Sequence, residues 1–410
     1  MGTAPMTKSL NRSRKDTPLG KPAVQTYVKY LDIETRDFIR QCLDAGHRPI
    51  DPLRMLQRMS LSLDLTLCWG RRICLEDPLL AEIAEVEHEI VNLRNPMTNF
   101  QDCIPALRFP WSHTTKKALE LRQRRDTYFA QLNNDLDERV RQGVATSCIR
   151  AELLHRSDVD EEELNLICLT FISAGMAPTV ATLQWSIALL ARRPDIQQAA
   201  LHAIREHYKD NAPFGNADDD QGCQYIVALA KECLRYVERL RFAKQSADSC
   251  RYFTVARTSL PRSTVKDFQY NGSSIPTGTT VFLNAWACNM GTSRDIFSLS
   301  QTVTKVTADP ALWPNDAHMF KPERWLERPD APLFTYGLGY RSCTGITLAS
   351  RLLYLFFVRL VAAFEISEGI EIDAHPVSGC KSAEDLVSSP RRYTAVFKPR
   401  DEARLKDALN

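Results

Sequence analysis

One long apolar stretch constrains this chain more than anything else in it. Leu164, Ile167, Leu169, Phe171 and Ile172, then Leu183, Trp185, Ile187 and Leu190, place apolar side chains on most sides of a helix. Such a pattern predicts a central, buried helix rather than a surface one. It is expected to begin near Ser157 or Asp158, where Ser157 with Asp160, or Asp158 with Glu161, can cap the first exposed amides, and to stop at Pro194. At 1.5 Å per residue it would span roughly 50 Å, enough to cross a whole domain. Near its middle lies Ala174-Gly175-Met176-Ala177-Pro178-Thr179. Gly and Pro both weaken a helix, and Pro also removes an amide donor, so a kink is expected there. A kink can serve packing alone or open space beside a bound ligand, and the residues leave both readings open.

The rest of the chain is large enough to wrap such a helix. It has 410 residues, 44% apolar and 25% charged, the balance of a soluble globular protein with a sizeable core. Lys+Arg is 52 and Asp+Glu is 50, which gives no electrostatic reason to expect a nucleic-acid partner. The basic, polar start, MGTAPMTKSLNRSRKDTPLGKP, has no apolar run of signal-peptide or anchor length, and no transmembrane span is expected. The 12 cysteines include no C-x-x-C pair, which argues against a structural zinc site and a disulfide framework. Most of them are expected to be small buried hydrophobes.

Residues 23 to 205 read as mostly helical. Met55, Leu56, Met59, Leu61 and Leu63 after Pro52 predict a helix with a buried face, and residues 114–142 an amphipathic helix with a solvated one. After residue 250 the texture turns strand-like. Phe253-Thr254-Val255 reads as a strand, and Phe268-Gln269-Tyr270 as a strand entering a tight Asn271-Gly272 turn. Ile275-Pro276-Thr277-Gly278 then leads into Val281, Phe282 and Leu283. The expected class is mainly α with small β-sheets, one domain over residues 1–410, without internal repeats.

The segment that carries chemistry is Phe334-Thr335-Tyr336-Gly337-Leu338-Gly339-Tyr340-Arg341-Ser342-Cys343-Thr344-Gly345, with an apolar helix, Leu348 to Phe364, directly after it. Its glycines permit close backbone approach and positive φ in a tight loop. Cys343 sits just ahead of a helix N-terminus, where free amides and the helix dipole favour a thiolate. A lone Cys before a helix is ordinarily packing, so the surrounding pattern has to decide.

That pattern, aromatic-Gly-x-Gly-x-Arg-x-Cys-x-Gly, resembles the cysteine loop of the cytochrome P-450 superfamily. The resemblance implies Cys343 as the axial iron ligand, with Tyr336 where the family usually has Phe. It puts Arg341 where an arginine faces a haem propionate, and Gly339 and Gly345 where the backbone closes on the porphyrin. Two further motifs follow the family's order: Glu232-Cys233-Leu234-Arg235, whose ends share a helix face, and Lys321-Pro322-Glu323-Arg324-Trp325. They imply a buried ion network of Glu232, Arg235 and Arg324. Leu260-Pro261-Arg262-Ser263-Thr264 makes Arg262 a second candidate for a propionate, and Arg12, Arg14 and Lys15 could serve likewise. The Pro390-Arg391-Arg392-Tyr393 strand region fits as well. Lys21-Pro22-Ala23-Val24 through Trp69-Gly70, and Leu348-Ala349-x-Arg351-x-x-Tyr354, resemble filamentous-fungal phenylacetate hydroxylases.

The resemblance implies the mostly α cytochrome P-450 fold and haem b (heme b, iron protoporphyrin IX) bound between the helix at Gly175 and the loop at Cys343. Gly175 and Thr179 would face the oxygen pocket, and Phe171, Met176 and Thr254–Ser259 a substrate. The implied reaction is haem-thiolate monooxygenation of a small, aromatic metabolite in fungal secondary metabolism. Its partner would be an NADPH-dependent flavin reductase, and the enzyme would be a monomer. Relatives sit at the endoplasmic reticulum membrane. This chain carries no anchor and would be soluble or peripheral.

Three departures from the family pattern matter. The chain begins late, without the family's anchor, first strands and pocket-roofing loop. The stretches 237–252 and 291–308 read as insertions, either surface loops or products of gene-model error. Ala177 and Pro178 stand where the family carries an acid followed by Thr, and neither side chain can carry a proton. These departures keep two rivals open: a non-catalytic haem-binding remnant, and a haem-thiolate isomerase or dehydratase.

Overall fold

The computed structural model describes residues 18–94, 113–154, 159–209, 214–236, 262–281, 283, 285–290, 313, 316–317, 319–370, 372–374, 378–382 and 385–410. The stretches 237–252 and 291–308, Arg12, Arg14, Lys15, Phe253-Thr254-Val255 and Thr254–Ser259 lie outside the described residues.

Helices come first: α1 (Lys21–Asp44), α2 (Leu53–Trp69), α3 (Pro78–Leu93), α4 (His113–Arg141), α5 (Ile149–Leu154), α6 (Glu161–Ala191), α7 (Pro194–Tyr208) and α8 (Gln224–Tyr236). Short strands follow: β1 (Arg262–Ser263), β2 (Phe268–Tyr270), β3 (Ser273–Ile275) and β4 (Thr280–Val281). The chain then gives α9 (Ala285–Met290), α10 (Arg324–Glu327), α11 (Ile346–Ala363), β5 (Phe364–Glu368), β6 (Ala395–Pro399) and α12 (Glu402–Leu409). Each sheet is an antiparallel pair: β1 with β4, β2 with β3, β5 with β6. The β2–β3 hairpin closes through Asn271 (φ 48°) and Gly272 (φ 78°), the left-handed pair expected of an Asn-Gly turn.

The apolar stretch forms α6, which runs unbroken past Pro178 for 31 residues. Its start differs from the expectation. Asp160 is the cap, its Oδ1 accepting from the Glu163 amide at 2.7 Å, and Glu161–Glu163 set negative charge against the positive end of the helix dipole. Pro194 does more than stop α6: it opens α7, where its missing amide is no loss. Within α6, Pro178 has no amide to offer the Ala174 carbonyl one turn back.

Around α6 the core is helix on helix. α2 packs against both α1 and α6, and α11 packs against α1 and α8. α2 is buried nearly all round, from Met55 to Trp69, and so must satisfy polar groups inside the core. Arg58 Nη1 donates to Glu34 Oε2 at 2.5 Å, Ser62 Oγ to Glu34 Oε1 at 2.8 Å, and Thr66 Oγ1 to the Ser62 carbonyl at 2.7 Å. α4 is amphipathic as expected, burying Leu121, Tyr128, Phe129, Leu132 and Leu136. The Pro390–Tyr393 region leads into β6 instead of forming it: the strand begins at Ala395, and Tyr393 donates to the Gln184 carbonyl of α6 at 2.7 Å. By length and apolarity alone α6 and α11 could each cross a membrane, yet half or more of each is buried against the rest of the fold.

Candidate functional site

Cys343 owes its position to a loop folded by its glycines. A 3-10 turn, Phe334–Tyr336, ends at Gly337 (φ 73°), and a second, Gly339–Arg341, begins with Gly339 at φ 61°. Both glycines occupy the left-handed region closed to most side chains. The turns bring the Cys343 amide onto the Tyr336 carbonyl at 2.8 Å, and Gly345 then caps α11. Among the described cysteines only Cys343 and Cys74 are exposed. Burial pushes the thiols of Cys42, Cys68 and Cys233 upward, Cys233 to about 12, so those stay neutral.

The loop is tied down by residues the motif did not single out. Asn289, buried at the end of α9, accepts from the Phe334 amide at 2.8 Å and donates to Thr335 Oγ1 at 3.0 Å. Thr335 Oγ1 donates in turn to the Leu234 carbonyl of α8 at 2.8 Å. Arg262, on β1, donates to the Arg341 carbonyl at 3.3 Å, so these two arginines meet beside the loop.

Behind the loop, Glu232, Arg235 and Arg324 form one buried cluster. Arg235 forks onto the Glu232 carboxylate at 2.6 and 2.7 Å, and Arg324 Nε reaches the same carboxylate at 3.3 Å. Sequence reasoning missed three members. Trp325 Nε1 donates to Glu232 Oε2 at 2.9 Å, Arg324 Nη1 donates to Asp316 Oδ1 at 2.6 Å, and the Arg324 guanidinium lies over the Trp313 ring at 4.9 Å. Arg324 holds the Asp316 carboxyl below its ordinary range despite burial. Every charge here has a partner, as a buried cluster requires.

Cys343 opens into a cavity of about 260 Å³. Tyr336, Thr344 and Gly345 of the loop, and Leu348 and Leu352 of α11, line one side. α6 supplies the other with Phe171, Ala174, Gly175, Pro178, Thr179 and Thr182. Seven of the residues singled out from sequence, Phe171, Gly175, Pro178, Thr179, Tyr336, Cys343 and Gly345, thus share one cavity. Gly339, Arg262 and Arg341 lie outside its lining, as do Met176, which is packed in the core, and Ala177. A third wall comes from α2: Ser60, Leu63 and Asp64. Asp64 was not foreseen. It is 4% exposed, its Oδ2 has no hydrogen-bond partner, and burial alone drives its carboxyl well above the usual range. Both its oxygens lie 2.8 Å from where a Cβ on Gly175 would sit. The signal available in sequence was one charge among the leucines of Leu61–Leu67.

Comparison with known proteins gives a consistent result. A family described as Cytochrome P450 matches residues 4–243 and 299–390. A 3-hydroxyphenylacetate 6-hydroxylase of Emericella nidulans is 42% identical over all of this chain and 74% of its own length. A phenylacetate 2-hydroxylase of the same fungus is 33% identical over 98% of this chain and 74% of its own. A cytochrome P450 monooxygenase of Mycosarcoma maydis is 30% identical over 100% and 73%.

Proposed function

Because this chain belongs to the cytochrome P450 family, a family of oxygen-incorporating haem oxidoreductases, we propose that it uses haem b to place one oxygen atom of O₂ on a small aromatic carboxylic acid or related aromatic metabolite. The observation that carries this reading is the exposed Cys343 thiol facing Gly175 and Thr179 across one mostly apolar cavity. The residues fit the cofactor. Cys343 offers iron one thiolate ligand, and the cavity beside it, lined by Gly175, Gly345, Leu348 and Leu352, is mostly apolar as a porphyrin face requires. The names of the two Emericella nidulans relatives support an aromatic acid as substrate.

When bound, the haem would supply activation of dioxygen, and the Cys343 thiolate would hold its iron and donate electron density to it. The protein's part is positional. Cys343, held by the amide contact to Tyr336 and by the Asn289–Thr335 brace, presents its sulfur at the head of α11. The dipole of that helix favours the thiolate. Arg262 and Arg341, which meet beside the loop, would hold the propionates, and Gly339 and Gly345 would let backbone approach. Glu232, Arg235 and Arg324 keep the loop's supporting wall rigid. The apolar faces of α6 and α11 exclude water from the reacting space. Two electrons arrive from an NADPH-dependent flavin reductase, at the endoplasmic reticulum membrane where the family's eukaryotic members work, and the enzyme acts as a monomer.

The first experiment is the carbon monoxide difference spectrum of the reduced protein. A strongly red-shifted Soret band, lost in Cys343→Ala, is expected. A protein that binds no haem overturns the reading. The pair Ala177-Pro178 favours a second reading, a haem-thiolate isomerase or dehydratase that needs no proton delivery. Turnover independent of NADPH would identify it, and oxygen consumption with reductase would eliminate it.

A further inference from the structure

Dioxygen chemistry of this kind consumes protons. Per turnover, two electrons from the reductase and two protons accompany one O₂. One oxygen atom enters the substrate C–H bond and the other leaves as water. The turn of α6 facing the cavity offers no acid: Gly175, Pro178 and Thr179 line it, and Ala177 does not. Some other group has to supply protons from within a water-poor pocket.

We propose that Asp64, reaching the cavity from α2 across Gly175, is the proton donor of this site. The inference rests on the monooxygenase reading above. Three observations meet at this residue. Asp64 belongs to the cavity lining together with Cys343, Gly175 and Thr179. Its polar neighbours on the same helix, Arg58, Ser62 and Thr66, all have core partners, while Asp64 Oδ2 has none. Glycine at 175 is what lets the carboxyl stand there, because any Cβ would meet both oxygens at 2.8 Å. An unpartnered carboxyl deep in a core costs several times an ordinary substitution unless it stays protonated. The titratable groups that face it, Cys68 one turn on along α2 and Cys343 and Tyr336 on the same cavity, are thiols and a phenol that offer no positive charge.

The step balances simply. The neutral carboxyl gives its proton into the cavity through water as O₂ takes up electrons, and becomes a carboxylate. That anion is buried and unpaired, so it recovers a proton from solvent, gives the second proton in the same way, is reprotonated again and ends the cycle unchanged. Ser60, one turn before Asp64 on the same cavity wall, and Thr179 opposite offer hydroxyls along which water can line up.

The 410-residue chain tests this as wild type, Asp64→Asn and Asp64→Glu. Infrared difference spectra, wild type minus Asp64→Asn near neutral pH, are expected to show the carbonyl stretch of one neutral carboxylic acid that shifts in D₂O. This readout needs no haem. With haem, reductase and NADPH, and phenylacetate as probe, Asp64→Asn is expected to consume oxygen at least about tenfold more slowly, the lower range for lost general acid catalysis. Its solvent deuterium isotope effect should be larger, and its carbon monoxide band unchanged. Asp64→Glu should recover part of the rate. Absence of the acid stretch overturns the proposal, and so does an Asp64→Asn protein that consumes oxygen at the wild-type rate. A wild type that shows the acid stretch but no red-shifted carbon monoxide band removes the monooxygenase reading, and the relay with it.

Discussion

At the scale of single residues, Asp64 and Gly175 act as a pair. Adding one methyl group at 175 drives it into the carboxyl, and overpacking of a dense core costs about 1–3 kcal/mol. Gly175→Ala is therefore expected to lower the urea midpoint, and Asp64→Ala in the same chain to recover much of that loss. A double-mutant cycle that is additive would show that the two do not touch. The carboxyl also sets a pH dependence. Its folded-state pKa lies above the unfolded one, so the native protein binds the extra proton. Its favourable contribution is complete below the unfolded carboxyl pKa, roughly 4, and is lost as pH rises through the folded value. Asp64→Asn removes that dependence. Urea titrations are expected to show the variant gaining on wild type as pH increases, and a constant difference would contradict the assignment.

The legibility of the site also divides at this scale. The glycines, Arg341 and Cys343 were readable because their spacing is local, and a loop whose geometry needs positive φ at 337 and 339 announces itself in a dozen residues. Glu232 and Arg235 were readable for the same reason, at one helical turn's separation. Asn289, Asp316 and Asp64 were not. Each meets its neighbour only through folding, across 45 residues from Asn289 to Phe334, 8 from Asp316 to Arg324, and from α2 to α6 for Asp64. An aspartate among leucines looks like an ordinary interruption of an apolar face until a glycine is found opposite it.

At the scale of elements, α8, α10 and the Lys321 amide just before α10 meet at the Glu232 carboxylate. It accepts from Arg235, Arg324, Trp325 and the Lys321 amide, so it is the hub of the cluster. Glu232→Ala leaves the buried Arg235 guanidinium without its anion and Arg324 with Asp316 alone, and is expected to cost about 3–5 kcal/mol, read as a lower urea midpoint. Asn289→Ala removes two hydrogen bonds to the loop and leaves the Phe334 amide without its acceptor. The expected loss is about 1–3 kcal/mol, with faster alkylation of Cys343 in the haem-free protein. Unchanged alkylation would show that the brace does not control the loop. The α6 boundary shows how local chemistry decides between alternatives. Three carboxylates behind Asp160 outweigh the earlier Ser157 and Asp158 as a starting signal, because all of them sit in the first turn, where the dipole favours them.

At the scale of the whole molecule, the helical majority and the small sheets were legible from periodicity, and so was the buried character of α6. The packing order was not. Nothing in the periodicity of α1 or α11 says that they meet, yet Arg359 of α11 pairs with Asp32 of α1 and donates to the Asp32 carbonyl at 2.8 Å. The cavity is likewise a product of distant thirds of the chain, walled by α2, α6 and α11.

That arrangement has a consequence in time. On a ribosome α1 is followed at once by its neighbour α2, but α11, which also packs on α1, starts only at Ile346. At roughly 5–20 residues per second, the wait is on the order of 15–65 s. Throughout it, the side of α1 that meets α11 lacks that partner, and the cavity lacks the wall that α11 and the Cys343 loop supply. Polypeptides that terminate before Ile346 are expected to be held by chaperones or to precipitate. Cofactor loading must then wait until the Cys343 loop and α11 have been made.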